Sequence, residues 1–425
     1  MLILEHIISS IIGMKKNIII GLILFLLQGL LIAQTGLSLP SALEGEIPWD
    51  LRTLSQAPDF EWLDQSDSVW SLTYTGEEYE GKETKVFAYY ASPATIRMEN
   101  TVSGDFPGIV LVHGGGGTAF QIWVKEWAKR GYAAIAMDLG GDQPLPTAEQ
   151  ENPWGSKRTR MENGGPKQDD VHKFYRLSEG FNEQWQYHSV SNIIRAHSLI
   201  RSFPEVDTDR TAITGISWGG YLTNLTAGVD QRFAAAVPVY GCGYLDEGSA
   251  WDKQFDSLGV AKTQRWVKLW DPSSYVGNAS ADMLFINGTN DFAYFVENWQ
   301  KTANLAKDAQ FTLIPEMKHS HLHGAAPEEI YRFIGTQLED KSLFVSSVKL
   351  KHKGDQAKYS ISHASKEVYV AYTGDEKRSP EREWKLIPLD KAKGKVAIPD
   401  DAKLWYIYWV DDHGNCRSSE VMGWE

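Results

Sequence analysis

The chain is poor in cysteine, with only Cys242 and Cys416 in 425 residues. Two are too few for a disulfide scaffold or a structural zinc site, so a packed core must hold the fold. One bridge between them after export stays open at this level. A basic excess is missing too. Forty-two Lys and Arg face 55 Asp and Glu, for a formal charge of −13. A nucleic-acid partner wants a basic face, so none is expected. Internal repeats and low-complexity tracts are absent. The apolar run Ile18 to Ala33 is short for a membrane span and contains Gln28. It follows Met14, Lys15 and Lys16 and ends in small or polar residues, the pattern of a secretory signal peptide. The expectation is a start at Met14, a signal over residues 1–33, and export to the periplasm or beyond the cell. No stable membrane insertion should remain once the signal is removed. No cysteine lies near the cleavage region, which argues against a lipoprotein.

What is present fits a large domain followed by a smaller one. Apolar residues make up 42% and charged residues 23%, ordinary for a globular protein. Sixteen tryptophans are many. Most tryptophans pack in cores, but clusters also line sugar sites, where flat rings stack on sugar faces.

Residues 34–67 are mixed and punctuated by Pro and Asp, a lead-in with short helices. From Ser68, "SVWSLTYTGEEYEGKETKVFAYYASP" predicts two antiparallel strands around a loop. "FPGIVLVHGGGG" holds a continuous apolar run, suited to a strand buried on both faces, and ends in His113 and four glycines. Phe120, Trp123 and Trp127 share one face of a predicted helix ending at Gly131. "YAAIAMDLGG" is the next strand. Residues 142–182 are long, polar and irregular, as segments that cover sites often are. A helix through Val190, Ile193, Ile194, His197 and Ile200 leads to the strand "RTAITG". "FAAAVPVYG", "DMLFING" and "FTLIPEM" are further strands, and "APEEIYRFIGTQL" is a closing helix. Such alternation predicts a mostly parallel sheet with helices on both faces over 68–340. From Lys341 short alternating strands take over, predicting an all-β, sandwich-like domain over 341–425.

Within "ITGISWGGYLTN" a single hydroxyl, Ser217, stands between Gly215 and Gly219, with Gly220 behind. A G-x-S-x-G run between a strand and a helix forms a sharp turn that lifts the serine above the sheet. Flanking side chains would clash there, hence the glycines. Serine needs a base, and the base an orienting acid. In this arrangement the acid and then the histidine follow the serine. Asp291 lies just past "LFING" and His319 just past "TLIPEMK", each at the C-terminal end of a strand, where sites of parallel sheets gather. His321 is the alternative base. Asp282 lies at the wrong end of its strand, and Asn290 carries no charge. His319, His321 and His323 with Glu316 could suggest a metal, but no obvious ligand set is complete, so neither metal nor cofactor is expected. The amides of Trp218 and Gly115, with Gly116 next, are candidate donors for an oxyanion. "HGGGG" lacks the Lys-Ser/Thr ending of a phosphate loop.

Together "VLVHGGGG", "GISWGGY", "NGTND" and "MKHSH" resemble the α/β-hydrolase superfamily. The likeness is to its dienelactone-hydrolase, prolyl-oligopeptidase-like and acetyl xylan esterase-like branch, over about 68–340. It implies an α/β-hydrolase fold followed by an appended β domain. It also implies Ser217 as nucleophile, His319 as base, Asp291 as acid, and Gly115 and Trp218 as oxyanion donors. No propeller domain precedes this region, which weakens the peptidase reading.

The expected function is a secreted serine esterase that removes acetyl or other small acyl groups from an oligo- or polysaccharide. His113, Trp154, Trp185 and Trp251 are candidate substrate contacts, besides Trp218. The alternative is a prolyl-oligopeptidase-like peptidase or a dienelactone-type lactone hydrolase with the same triad. A peptidase would need anchoring charges, for which "EEYEG" or Glu247 are candidates. A non-catalytic carbohydrate-binding protein is the third class, and the complete Ser, Asp and His set argues against it.

Overall fold

The computed structural model describes residues 48–99, 104–145, 152–339 and 347–423. The expected signal peptide lies outside them. Among the described residues, no helix is long and apolar enough to cross a membrane.

The centre is a sheet of six parallel strands. They are β4 (Phe106–Val112), β5 (Ala133–Met137), β8 (Val206–Ile216), β9 (Ala235–Val239), β10 (Asp282–Gly288) and β11 (Gln310–Ile314). Their apolar runs are continuous because helices cover both faces. Every residue of β5 and β9 is buried. The order β5-β4-β8-β9-β10-β11 puts the two glycine-rich turns, after β4 and β8, side by side. Helix Gln121–Lys129 buries Trp123, Val124 and Trp127, as its spacing predicts. Helix Trp185–Ile200 is buried almost all round, not on one face.

Three antiparallel strands extend one edge: β1 (Phe60–Asp64), β2 (Trp70–Thr75) and β3 (Lys85–Ala91), with β3 against β5. Thus the lead-in is not only helical. After a four-residue helix, Leu51–Leu54, it forms the outermost strand, whose mostly exposed side chains gave no alternating pattern to read. The insertion contains a small hairpin, β6 (Asp142–Pro144) with β7 (Arg158–Arg160), and a single π-turn at Val171–Tyr175.

The C-terminal unit is sandwich-like. One sheet holds β12 (Val348–Lys353), β13 (Gln356–Ile361) and β16 (Lys393–Ala397). The other holds β14 (Ser365–Thr373), β15 (Lys385–Pro388), β17 (Leu404–Asp411) and β18 (Cys416–Ser418). Tyr359, Ile361, Val370, Ile407 and Trp409 fill the space between. The second sheet also continues the main one, because β18 pairs with β11 through Phe311 and Ser418. Gln300 exchanges two hydrogen bonds with the Val421 backbone, at 2.9 and 2.6 Å. The Glu329 carboxylate accepts the Cys416 amide. Cys242 and Cys416 are both free thiols.

A shared sheet couples the two units, so they should unfold together. Differential scanning calorimetry is expected to give one transition whose calorimetric and van't Hoff enthalpies agree. Two separated peaks would show that the β unit melts alone.

Candidate active site

Ser217 has φ +60° and ψ −119°, a region that a residue with a Cβ rarely adopts. The chain is held in it from both sides. The Ser217 amide donates to the Val239 carbonyl at 2.9 Å, and the Ser217 carbonyl accepts from the Tyr221 amide at 2.9 Å. The glycines are close-approach sites. A Cβ on Gly215 would lie 2.2 Å from the Gly219 carbonyl oxygen, and one on Gly219 would lie 2.0 Å from that of Val112. The elbow therefore presses directly onto the end of β4.

The first glycine turn is clamped at Gly114. The Gly114 amide donates to His321 Nε2 at 3.0 Å. His113 Nδ1 donates to the Gly114 carbonyl at 2.8 Å, while His113 Nε2 accepts the Leu139 amide at 2.9 Å. These bonds fix both rings as neutral tautomers. Burial pushes His113 down to about 4 and His321 down to about 3, with the neighbouring His113 and His319 lowering His321 further. The insertion holds the other side of the turn. Gln168 Oε1 accepts the Gly116 amide at 3.2 Å, and Arg158 donates to the Gly116 carbonyl at 2.6 Å. Two amides at the elbow have no partner among the described residues: those of Gly115, which is exposed, and of Trp218, the first residue of helix Trp218–Val229. They are the two expected oxyanion donors, and a helix N-terminus favours negative charge there. Gly116, the second choice, is already used.

Asp291 is fully buried beyond β10. One oxygen accepts the amides of Ala293 and Tyr294, at 2.9 and 2.7 Å. The other lies 2.6 Å from His319 Nδ1. His319 is stacked on Tyr240, with ring centroids 4.3 Å apart, and flanked by Phe292 at 4.8 Å. Its Nε2 has no partner among the described residues and makes no hydrogen bond to Ser217 in this geometry. Such contacts commonly tighten only in the substrate complex. The acid's loop is braced by the β unit: Asn290 donates to the Arg382 carbonyl at 2.7 Å, and the Val296 amide donates to Ser379 Oγ at 3.2 Å.

The other candidates fall differently. His113 is 1% exposed and both its nitrogens are committed to the fold, so it is not placed to touch substrate. Trp185 is fully buried, its indole donating to the Leu139 carbonyl at 2.7 Å. It forms part of the floor, edge-on to Trp218. Trp251 is half-buried and packs on Trp218 at 4.6 Å, and Trp154 is half-buried against Phe120 at 5.1 Å. The three histidines diverge: His319 to Asp291, His321 to Gly114, and His323 to Ser320 at 2.7 Å. His321 is thus a support of the glycine turn and not a free base. The sequence gives no sign of the Tyr240 and Tyr294 rings around His319, which come from loops beyond two other strands. Lys173, on the π-turn, places its ammonium 4.5 Å from the Trp218 ring, and burial lowers its pKa to about 8.

Residues 172–338 match the model of the prolyl oligopeptidase family. The chain is 24% identical over 255 residues to a probable dipeptidyl-peptidase 5 of Aspergillus flavus, covering 57% of this chain and 32% of that protein. It is 24% identical over 249 residues to an uncharacterized peptidase of Bacillus subtilis, again covering 32% of it. It thus spans about a third of the length of these curated relatives. Among solved structures, an acetyl xylan esterase from Paenibacillus sp. R4 superposes with a TM-score of 0.52 at 19% identity, covering 68% of this chain and 92% of that one. The chain has the α/β-hydrolase fold.

Two outcomes follow from this geometry. Gly219→Ala drives a methyl into the Val112 carbonyl and should cost at least about 1–3 kcal/mol in urea unfolding, with loss of activity. The second concerns acid. His113 and His321 titrate below the ordinary 6.5 in the folded state, so the unfolded chain binds more protons between about 6.5 and 4. Stability should be fully present above 6.5 and fall as pH drops towards 4. His321→Gln, which still accepts but does not titrate, should flatten that fall in urea midpoints measured across pH.

Proposed function

We propose that the protein is an exported serine esterase that removes acetyl or other small acyl groups from carbohydrate. In this reading His319 Nε2 takes the Ser217 proton, and Ser217 Oγ attacks the ester carbonyl. The oxyanion is received by the amides of Gly115 and Trp218, and Asp291 stabilises the imidazolium. His319 then protonates the leaving alcohol, and water releases the acid from the acyl-enzyme.

The observation that carries ester over peptide is that three of the carboxylates a peptide amine could use are already paired. Glu77 is bonded to Tyr187 at 2.9 Å and to Arg195, Glu80 faces Arg176 at 3.5 Å, and Glu247 is paired with Lys301 at 2.5 Å. The rings that reach the surface near the site are the exposed Phe292, beside His319, and the half-buried Trp251, against Trp218. Apolar rings of this kind suit the faces of sugars. The Paenibacillus neighbour, an acetyl xylan esterase, is in keeping with this. The match of 172–338 to the prolyl oligopeptidase family favours the second reading, a peptidase using the same residues. Export rests on the pattern at 14–33.

Wild type and Ser217→Ala are to be compared on 4-nitrophenyl acetate, an acetylated xylan and a peptide 4-nitroanilide. The proposal expects acetate release from both esters, lowered by about 10³-fold or more in the variant. Anilide cleavage with the xylan untouched would establish the peptidase instead. Equal acetate release by both proteins would remove Ser217 from the chemistry.

A further inference from the structure

Tyr294 stands three residues after Asp291 and is fixed at both ends of its peptide unit. Its amide donates to Asp291 at 2.7 Å, and its carbonyl accepts from Asn287 Nδ2 at 3.0 Å. Its side chain is completely buried. The ring lies nearly parallel to that of His319, at 10° and 6.3 Å between centroids, and meets Trp251 at 5.1 Å. Yet among the described residues the hydroxyl makes no regular hydrogen bond. Buried hydroxyls are nearly always satisfied, and one that is not costs stability. A phenyl ring would fill the same space without that cost. The polar group beside this hydroxyl is the Ser217 side chain, which interacts with it without meeting the geometry of a regular hydrogen bond.

Burial, with the nearby Cys242 and Asp291, holds the Tyr294 phenol well above its ordinary pKa, so it is a neutral O–H donor at any working pH. The backbone amides already serve the carbonyl oxygen of the substrate. What they leave unserved is Oγ itself, which carries charge while its proton is on His319.

We propose that Tyr294 is a catalytic residue whose hydroxyl donates a hydrogen bond to Ser217 Oγ as that oxygen loses its proton. This rests on Ser217 being the nucleophile, as in the function proposed above. In acylation the Oγ proton passes to His319 Nε2, Oγ bonds to the carbonyl carbon, and the bond to the alcohol oxygen breaks as His319 returns the proton to it. In deacylation water loses its proton to His319, its oxygen bonds to the acyl carbon, and the bond from that carbon to Oγ breaks, Oγ recovering the proton from His319. Tyr294 keeps its own proton throughout. It steadies Oγ as attacking atom in the first half and as leaving atom in the second.

The test is Tyr294→Phe beside Ser217→Ala, in the full chain. Three quantities are read: kcat and KM on 4-nitrophenyl acetate, the rate of labelling by a fluorophosphonate, and the melting temperature. The proposal expects kcat and the labelling rate to fall about 10-fold or more, with KM within about twofold. The melting temperature should stay level or rise, since the removed hydroxyl was unsatisfied. Labelling and kcat within twofold of wild type would overturn it. So would a lower melting temperature alongside the loss, because the hydroxyl would then be acting on the fold. Failure of the serine reading is separate: Ser217→Ala would then be labelled like wild type, whatever Tyr294→Phe does.

Discussion

The site depends on how closely two neighbouring strand ends approach. Val112 and Gly215 are paired in register at the C-terminal ends of β4 and β8. There the elbow rests on the Val112 carbonyl, with no room for a Cβ on Gly219. That contact fixes the height of Ser217 above the sheet. It also brings the amide of Trp218, on one turn, beside that of Gly115, on the other. The positive φ of Ser217 is a strained state, and hydrogen bonds to Val239 and from Tyr221 hold it.

Around that contact the molecule spends its buried polar groups on fixing loops. Gly114 is gripped on both sides by neutral histidines, and Gly116 is occupied by Gln168 and Arg158 from the insertion. Among the described residues, only Gly115 in that turn has an amide without a partner. The segment read from composition as a cover is thus also a structural part of the glycine turn after β4. The acid side has its own support. Asn290 and Val296 flank Asp291, and both are tied to the loop around Ser379 and Arg382 of the β unit. This gives the appended unit a role that needs no ligand: it braces the loop that orients His319.

The rigidity has an electrostatic consequence. Histidines that act as acceptors must stay neutral, and burial keeps them so. The same property makes acid the weak side of the fold, because protonation would turn each acceptor into a donor facing another N–H.

Much of this was legible in the sequence, and for local reasons. Continuous apolar runs at β4, β5, β8, β9 and β10 mark strands buried on both faces, and alternation with helices fixes a parallel sheet. The spacing of Gly215, Ser217 and Gly219 announces the elbow, since only glycine survives there. The order of Ser217, Asp291 and His319 at strand ends is likewise a chain property. Tertiary structure alone decided the rest. His113 and His321 look like free site residues until their ring nitrogens are seen to be used by backbone that is distant in sequence. Trp185 looks like a sugar contact until its indole is found bonded to Leu139. The β unit reads as separate, because the single pairing of β18 with β11 has no local pattern. Tyr294 reads as an ordinary core ring. Hydrogen-bond partners and burial are set by which loops meet at the end of the sheet, and no spacing along one chain encodes that meeting.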